Sequence, residues 1–226
     1  AIERGDLTLD DTLGRFFPDA PEDKKDITIR LLMTHTSGFA PSVRIEREAA
    51  DANDALRAVL AHPFAFPPGE RPQYSCLGFI ALGKALEALY GKPLDHLARE
   101  EVFAPLGMTH TGYLPKGGNI ASTEIDRATG RALCGVVHDE NARFLSGVAG
   151  NAGVFSDLRD MMLFAQMLAD RGGRYLSPAT LARAIECRTD GFDTHRGLGF
   201  HLGGVSRNFM GDLFPPCSFG HTGFTG

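Results

Sequence analysis

The sequence has no basic excess, no long apolar run and few cysteines, and each shortage removes a class of function. Lysine and arginine total 23 against 28 acidic residues, a formal charge of −5. With a pI of about 5.9, the chain lacks the electrostatic footprint of a nucleic-acid binder. No apolar run approaches the ~18–20 residues of a membrane span, and residues 1–20 lack a signal-peptide pattern, which leaves the compartment open. The four cysteines, Cys76, Cys134, Cys187 and Cys217, are scattered and form no Cys-x-x-Cys pair. A chain of 226 residues does not need covalent staples, so reduced thiols are expected. What is plentiful is glycine, 27 residues, with 13 prolines, which implies many turns and argues against a long helical bundle. A hydrophobic fraction of 43% suffices for a real core.

Residues 1–4 read as a helix end stopped by Gly5, and LTLDDTLGRFFPD as an extended, turn-rich segment in which Pro18 blocks helix. ITIRLLMTH predicts a short helix with Ile29, Leu32 and Met33 on one face, ended by Thr36-Ser37-Gly38. DANDALRAVLAHP predicts another, and PFAFPPGERPQ an irregular connection. The strongest helix signal is SCLGFIALGKALEALYG: Ser75 is a cap, Phe79, Leu82, Leu86 and Leu89 recur at helical spacing, and Gly91 is the stop. A helix from Pro93 to Gly107 follows. Residues 108–155, rich in glycine, read as loops with short strands. Ser156-Asp157 and Ser177-Pro178 open two more helices, and GLGFHLGG and FGHTGFTG read as two strands joined by the connection 203–217. Two strands alone are marginal, so the architecture implied is larger than the residues given.

Four stretches could carry chemistry. Tyr74, ahead of the strongest helix, can project its hydroxyl into a cleft and, near a cation, serve as a general base; a plain amphipathic plug is the alternative. In Gly220-His221-Thr222-Gly223, flanking glycines let a substrate backbone lie close, while His221 and Thr222 can hold a carboxylate or carbonyl; a turn in a glycine-rich chain is the alternative. His35 and Ser37 in THTSG tempt one toward a Ser–His pair, but their spacing on a helix-ending turn points to local bonding of the helix end. HDEN, residues 138–141, offers four ligand types in a row, yet neighbours rarely share an ion, so no metal site is expected there. The glycines from Gly147 to Gly153 fit a tight loop that approaches another backbone closely.

The order of these pieces carries more than any one alone. ITIRLLMTHTSGF, PFAFPPGERPQYSCLGFIALG, VAGNAGVFSDLRDMMLFAQMLA and FGHTGFTG together resemble, along essentially the whole chain, the serine hydrolases of the class C β-lactamase-like superfamily. That superfamily includes penicillin-binding D,D-carboxypeptidases, D-aminopeptidases and esterases, and HDENAR…VAG looks closest to the carboxypeptidase-like branch. The resemblance implies an α/β fold, an antiparallel sheet flanked by helices plus a helical subdomain. In one β-lactamase-like domain over 1–226, residues of about 20–150 would be mainly helical and 151–226 part of the α/β sandwich. It implies an acyl-enzyme mechanism with a Ser-x-x-Lys nucleophile, a Tyr-x-Asn and a Lys/His-Thr/Ser-Gly strand. Tyr74 matches the proton-transferring Tyr. His221, Thr222 and Gly223 match the strand, and Phe224 would lend its backbone N–H to the oxyanion hole. The implied partner is a small-molecule or peptide acyl substrate, and no cofactor is implied.

Two departures stand out. Cys76 occupies the place of the Asn, where a thiol is a weak substitute for an amide; Cys76 as the nucleophile itself is a remote alternative. No Ser-x-x-Lys occurs in the chain: three residues before Lys24, Lys25, Lys84, Lys92 and Lys116 stand Pro21, Glu22, Ala81, Leu89 and Tyr113. The expectation is therefore a nucleophile upstream of Ala1 and further strands beyond Gly226. The competing expectation is a non-catalytic substrate-binding or sensor domain on the same scaffold.

Overall fold

Capping side chains set several helix starts in this chain. The computed structural model describes residues 1–41, 43–127, 129–203 and 213–224. Helices α1 (Leu13–Phe16), α2 (Glu22–Lys25) and α3 (Ile29–Met33) come first, then α4 (Ala55–Ala61), α5 (Cys76–Tyr90) and α6 (Leu94–Ala98). Next come β1 (Gly112–Tyr113), α7 (Glu140–Phe144), β2 (Val154–Phe155), α8 (Leu158–Ala169), α9 (Pro178–Ala184), β3 (His201–Leu202) and β4 (Phe219–Gly220). Thr28, Ser75, Asp139, Asp157 and Ser177 each accept a backbone N–H of the first turn of α3, α5, α7, α8 and α9, the stabilising N-cap arrangement. Gly91 closes α5 in the left-handed region at φ 62°, open to a residue without Cβ strain.

β1 pairs antiparallel with β2, and β3 with β4, in the registers Gly112↔Phe155 and His201↔Gly220. The result is a helix-rich α/β arrangement with small antiparallel sheets, the expected class. Leu13, Ile29, Leu32, Phe39 and Leu77 are fully buried in one apolar cluster that joins α1, α3 and α5. No helix among the described residues is long and apolar enough to cross a membrane. All four cysteines are free thiols.

Three local expectations need correction. Residues 13–16 form one helical turn rather than extended chain, because Pro18 lies two residues beyond its end and Thr12 pairs with Thr28 to set its start. The stretch 140–144, read as loop, is helix α7 with Asp139 as its cap. On α5 the stripe Phe79, Leu82, Leu86 and Leu89 is only partly buried; the deepest face is Leu77, Ile80, Ala81 and Ala85. Small residues on that face admit neighbouring backbone, whereas the larger side chains fill the flanks. The expected connection 203–217 lies largely outside the described residues, as do residues 225–226.

Candidate active site

The end of α3 builds one wall. Its last carbonyls are taken by His35 N, bonded to Leu32 O, and Thr36 N, bonded to Leu31 O. That closure puts His35 at φ 56°, a left-handed conformation uncommon outside glycine but more accessible to histidine, asparagine and aspartate than to most residues. The loop before α5 runs alongside: Gly69 N bonds Thr36 O, Gln73 N bonds His35 O, and Ser75 N donates to His35 Nδ1 at 3.2 Å. An Nδ1 that accepts leaves the proton on Nε2, which is buried without a hydrogen-bond partner. Burial, followed by the charge of Arg196, lowers the His35 pKa to about 3, so the ring is neutral.

Ser75 faces inward, donating to Ala40 O at 2.7 Å while capping α5. Tyr74 and Cys76 flank it on the other side, with Sγ 3.6 Å from the phenol oxygen. The Tyr74 ring lies 4.8 Å from His35 and 5.8 Å from His221, and His35 stacks on Phe79 at 4.7 Å. The β3–β4 ribbon supplies the opposite wall, where the His201 ring sits 5.0 Å from His221. The structure thus brings a phenol and an imidazole 147 positions apart into one cluster.

Electrostatics keeps this cluster largely uncharged. Burial first, then the Cys76 contact and the Asp139 charge, pushes the Tyr74 phenol well above its ordinary value, and Arg196 pulls the other way. Burial raises the Cys76 thiol and Asp139 adds to it, so the reactive thiolate is disfavoured and Cys76 is a poor nucleophile here. Burial also lowers His201 to about 4 and holds His221 below its usual range, the latter against a hydrogen bond between Nδ1 and Thr222 O at 2.7 Å.

Thr222, Gly223 and Phe224 follow β4 and are exposed. The Phe224 ring stacks on His138 at 3.6 Å, a contact not foreseen, which ties the segment after β4 to the loop before α7. Asp139, next to His138, accepts from the Asn151 amide at 3.0 Å, and Asn151 in turn favours the Cys76 thiolate, against the burial that disfavours it. His35, Asp139, Asn151, Arg196 and His201 therefore join Tyr74, Cys76 and His221. Only His35 and Asp139 had been weighed for chemistry, His35 for a pairing with Ser37 and Asp139 as part of HDEN. HDEN does not gather as a ligand set. Among the described residues, the group with ligand atoms mutually within 4.8 Å is His110, Asp157 and Asp160, already bonded to one another at the start of α8. A separate recess of about 180 Å³, lined by Cys187, His195, Leu202, Cys217 and Phe219, opens on the face of the β3–β4 ribbon opposite His201.

Comparisons with known proteins fit this geometry. The family model described as Beta-lactamase matches residues 1–226. A protein of Escherichia coli K12 named "Putative D-alanyl-D-alanine carboxypeptidase" is 30% identical over 260 aligned residues, covering 100% of this chain and 60% of that protein. The chain thus spans about 60% of the length of the curated relatives it matches. Among solved structures, a penicillin-binding protein from Bacillus halodurans superposes with a TM-score of 0.70 at 24% identity, over 89% of this chain and 64% of that one. A penicillin-binding protein homologue from Caulobacter crescentus does so with a TM-score of 0.70 at 20% identity, over 98% and 67%. Both likenesses are of fold.

Proposed function

Because the chain belongs to the Beta-lactamase family, a family of hydrolases, we propose that it is part of a serine acyl hydrolase that cleaves an ester, amide or β-lactam bond through an acyl-enzyme. Residues of about 20–150 belong to its mainly helical subdomain and 151–226 to part of its α/β sandwich. The observation that carries this reading is the 5.8 Å approach of Tyr74 to His221. The nucleophile is a serine of a Ser-x-x-Lys motif outside these 226 residues. Tyr74 moves its proton, Phe224 N–H receives the developing oxyanion, and His221, Thr222 and Gly223 align the substrate. The thiol of Cys76 replaces the usual amide beside Tyr74, and Asn151, which favours the thiolate of Cys76, returns an amide to the same corner. The names of the relatives favour D-alanyl peptides among the amide substrates.

The test uses the full-length protein with nitrophenyl esters, a chromogenic cephalosporin, D-alanyl peptides and a fluorescent penicillin. Turnover of at least one class is expected, with Tyr74→Phe slowing it by about 10²–10⁴-fold, the usual contribution of a positioned acid–base group. A full-length protein inert to all of these, unlabelled by penicillin and indifferent to Tyr74→Phe, refutes the assignment. Saturable ligand binding without turnover would instead favour a binding or sensor domain, a reading motivated by Cys76.

A further inference from the structure

Two segments 47 positions apart meet at the start of α8. His110 comes from the chain just before β1, while Asp157 and Asp160 are the cap and the third residue of α8. Each of the three offers one ligand atom, and these atoms lie within 4.8 Å of one another. Each carboxylate gives one oxygen to the fold. Asp157 Oδ1 accepts Asp160 N at 2.9 Å, and Asp160 Oδ2 accepts His110 N at 2.7 Å and the Thr111 hydroxyl at 2.8 Å. One oxygen of each carboxylate is left over. Asp157 Oδ2 meets His110 Nδ1 at 2.6 Å. Asp160 is only 1% exposed, yet its Oδ1 is buried with no hydrogen-bond partner.

Helix capping does not account for that oxygen. A buried carboxylate oxygen with nothing to accept is costly until a proton donor or a cation reaches it. Among the described residues no lysine or arginine forms an ion pair with either aspartate; the partner of Asp157 is the imidazole. One imidazole nitrogen with two carboxylate oxygens is a donor set for a borderline divalent ion such as Zn²⁺, whereas Ca²⁺ and Mg²⁺ favour oxygen alone. We propose that His110, Asp157 and Asp160 form a binding site for a divalent transition-metal ion, Zn²⁺ foremost, with water completing the coordination. The His110 and Asp157 side chains are 61% and 43% exposed, so the ion enters from solvent and reaches buried Asp160 last. Two ligands about 2.0 Å from a tetrahedral ion stand about 3.3 Å apart, so the 2.6 Å pair must open by less than an ångström. The exposed His110 ring can turn that far. Nδ1 binds through its lone pair, and the proton it now shares with Asp157 moves to Nε2 or to solvent. The bonds from Asp160 N, His110 N and Thr111 already orient both carboxylates, as an outer shell does. The positive end of α8 and Arg159, whose charge is felt at Asp157, both oppose a cation, so affinity of micromolar order is expected. The bound ion would pin the chain before β1 to α8. The proposal does not rest on the acyl-transfer reading.

The test titrates Zn²⁺ by calorimetry into the chelator-stripped full-length protein and into its His110→Gln, Asp157→Asn and Asp160→Asn variants. Both asparagines keep an oxygen acceptor for the backbone N–H groups. Each variant is expected to lose one bound ion per chain or to bind it about tenfold or more weakly. Zn²⁺ should raise the melting temperature of the parent protein and leave that of His110→Gln unmoved. Co²⁺ in place of Zn²⁺ should give the visible bands of a nitrogen and oxygen ligand set. A thiolate charge-transfer band at the first equivalent puts the ion on a cysteine and overturns the proposal, as does a parent protein without saturable binding. Should Asp160→Asn fail to fold, His110→Gln and Asp157→Asn decide, because both side chains are largely exposed. Stoichiometry and affinity equal to the parent's in those two variants overturn it.

Discussion

Replacing Gly150 by alanine tests whether the glycine loop is pressed against α5 closely enough to shape the site. A Cβ on Gly150 would lie 2.0 Å from the Phe79 carbonyl oxygen and 3.1 Å from Gly83 N. The first contact is more than an ångström short of ordinary van der Waals separation, and both neighbours are helix backbone that no rotamer change can move. The backbone of Gly150 is not left-handed, so the penalty is steric alone. Overpacking of this kind costs typically 1–3 kcal/mol, against a gain of about 0.4–1 kcal/mol from a stiffer unfolded chain. A net loss of about 1–1.5 kcal/mol lowers the melting temperature of a chain of this size by roughly 2–6 °C. Calorimetry reads the shift directly. Gly83→Ala, whose added Cβ meets contacts of 3.1 Å inside a helix, should change far less, because a helix-propensity gain of about 1 kcal/mol offsets the crowding. Gly112→Ala, with no atom within 4 Å, is the control. If Gly150→Ala melts with the parent protein, the loop does not press on Phe79. The position of Asn151 beside Cys76 and Asp139 then loses its steric cause.

Asn141→Leu should cost about 2–4 kcal/mol, because it strands Ile45 N and Val43 O, which the amide now satisfies at 3.0 and 2.7 Å. The check is a lower urea midpoint at constant slope; an unchanged midpoint refutes it. For His35 the unfolded chain binds a proton near 6.5 and the folded one not until about 3, so its penalty is absent above pH 6.5 and grows as pH falls from 6.5 toward 3. His35→Asn, tolerant of the same left-handed backbone, should flatten the stability loss between pH 7.5 and pH 5 by about 1–2 kcal/mol. Parallel pH curves for the two proteins would show that His35 protonates freely in the fold.

Much of the local structure was legible because its causes are local. Ser75 ahead of an apolar run, Asp157 and Ser177-Pro178 each carry the acceptor or ring that a first helical turn needs, and each starts a helix. GLGFHLGG and FGHTGFTG were readable as strand segments from alternation and glycine, but only His201–Leu202 and Phe219–Gly220 pair, so His221, Thr222 and Gly223 lie past the end of β4. Helix α7 was not legible, because HDEN was weighed as ligands; yet the same Asp139 that looked like a ligand is the cap that makes residues 140–144 helical. A short polar side chain ahead of an amide-rich turn serves either purpose, and only the three-dimensional position of its oxygen separates them.

The site divides along the same line. Tyr74, Cys76 and His221 were legible as motif positions, but the groups that set their charge were not. His35 enters because the left-handed closure of α3 turns its ring toward Tyr74, a direction that no spacing rule for a helical turn gives. Asn151 arrives through the close approach of Gly150 to α5, and His201 through a register that places it opposite Gly220. Arg196 comes from a stretch with no pattern at all, carried in by its bridge to His201. Each is a long-range consequence of a backbone contact. The chemistry of a motif can therefore be read along the chain, while the field that tunes it is written in the packing between segments.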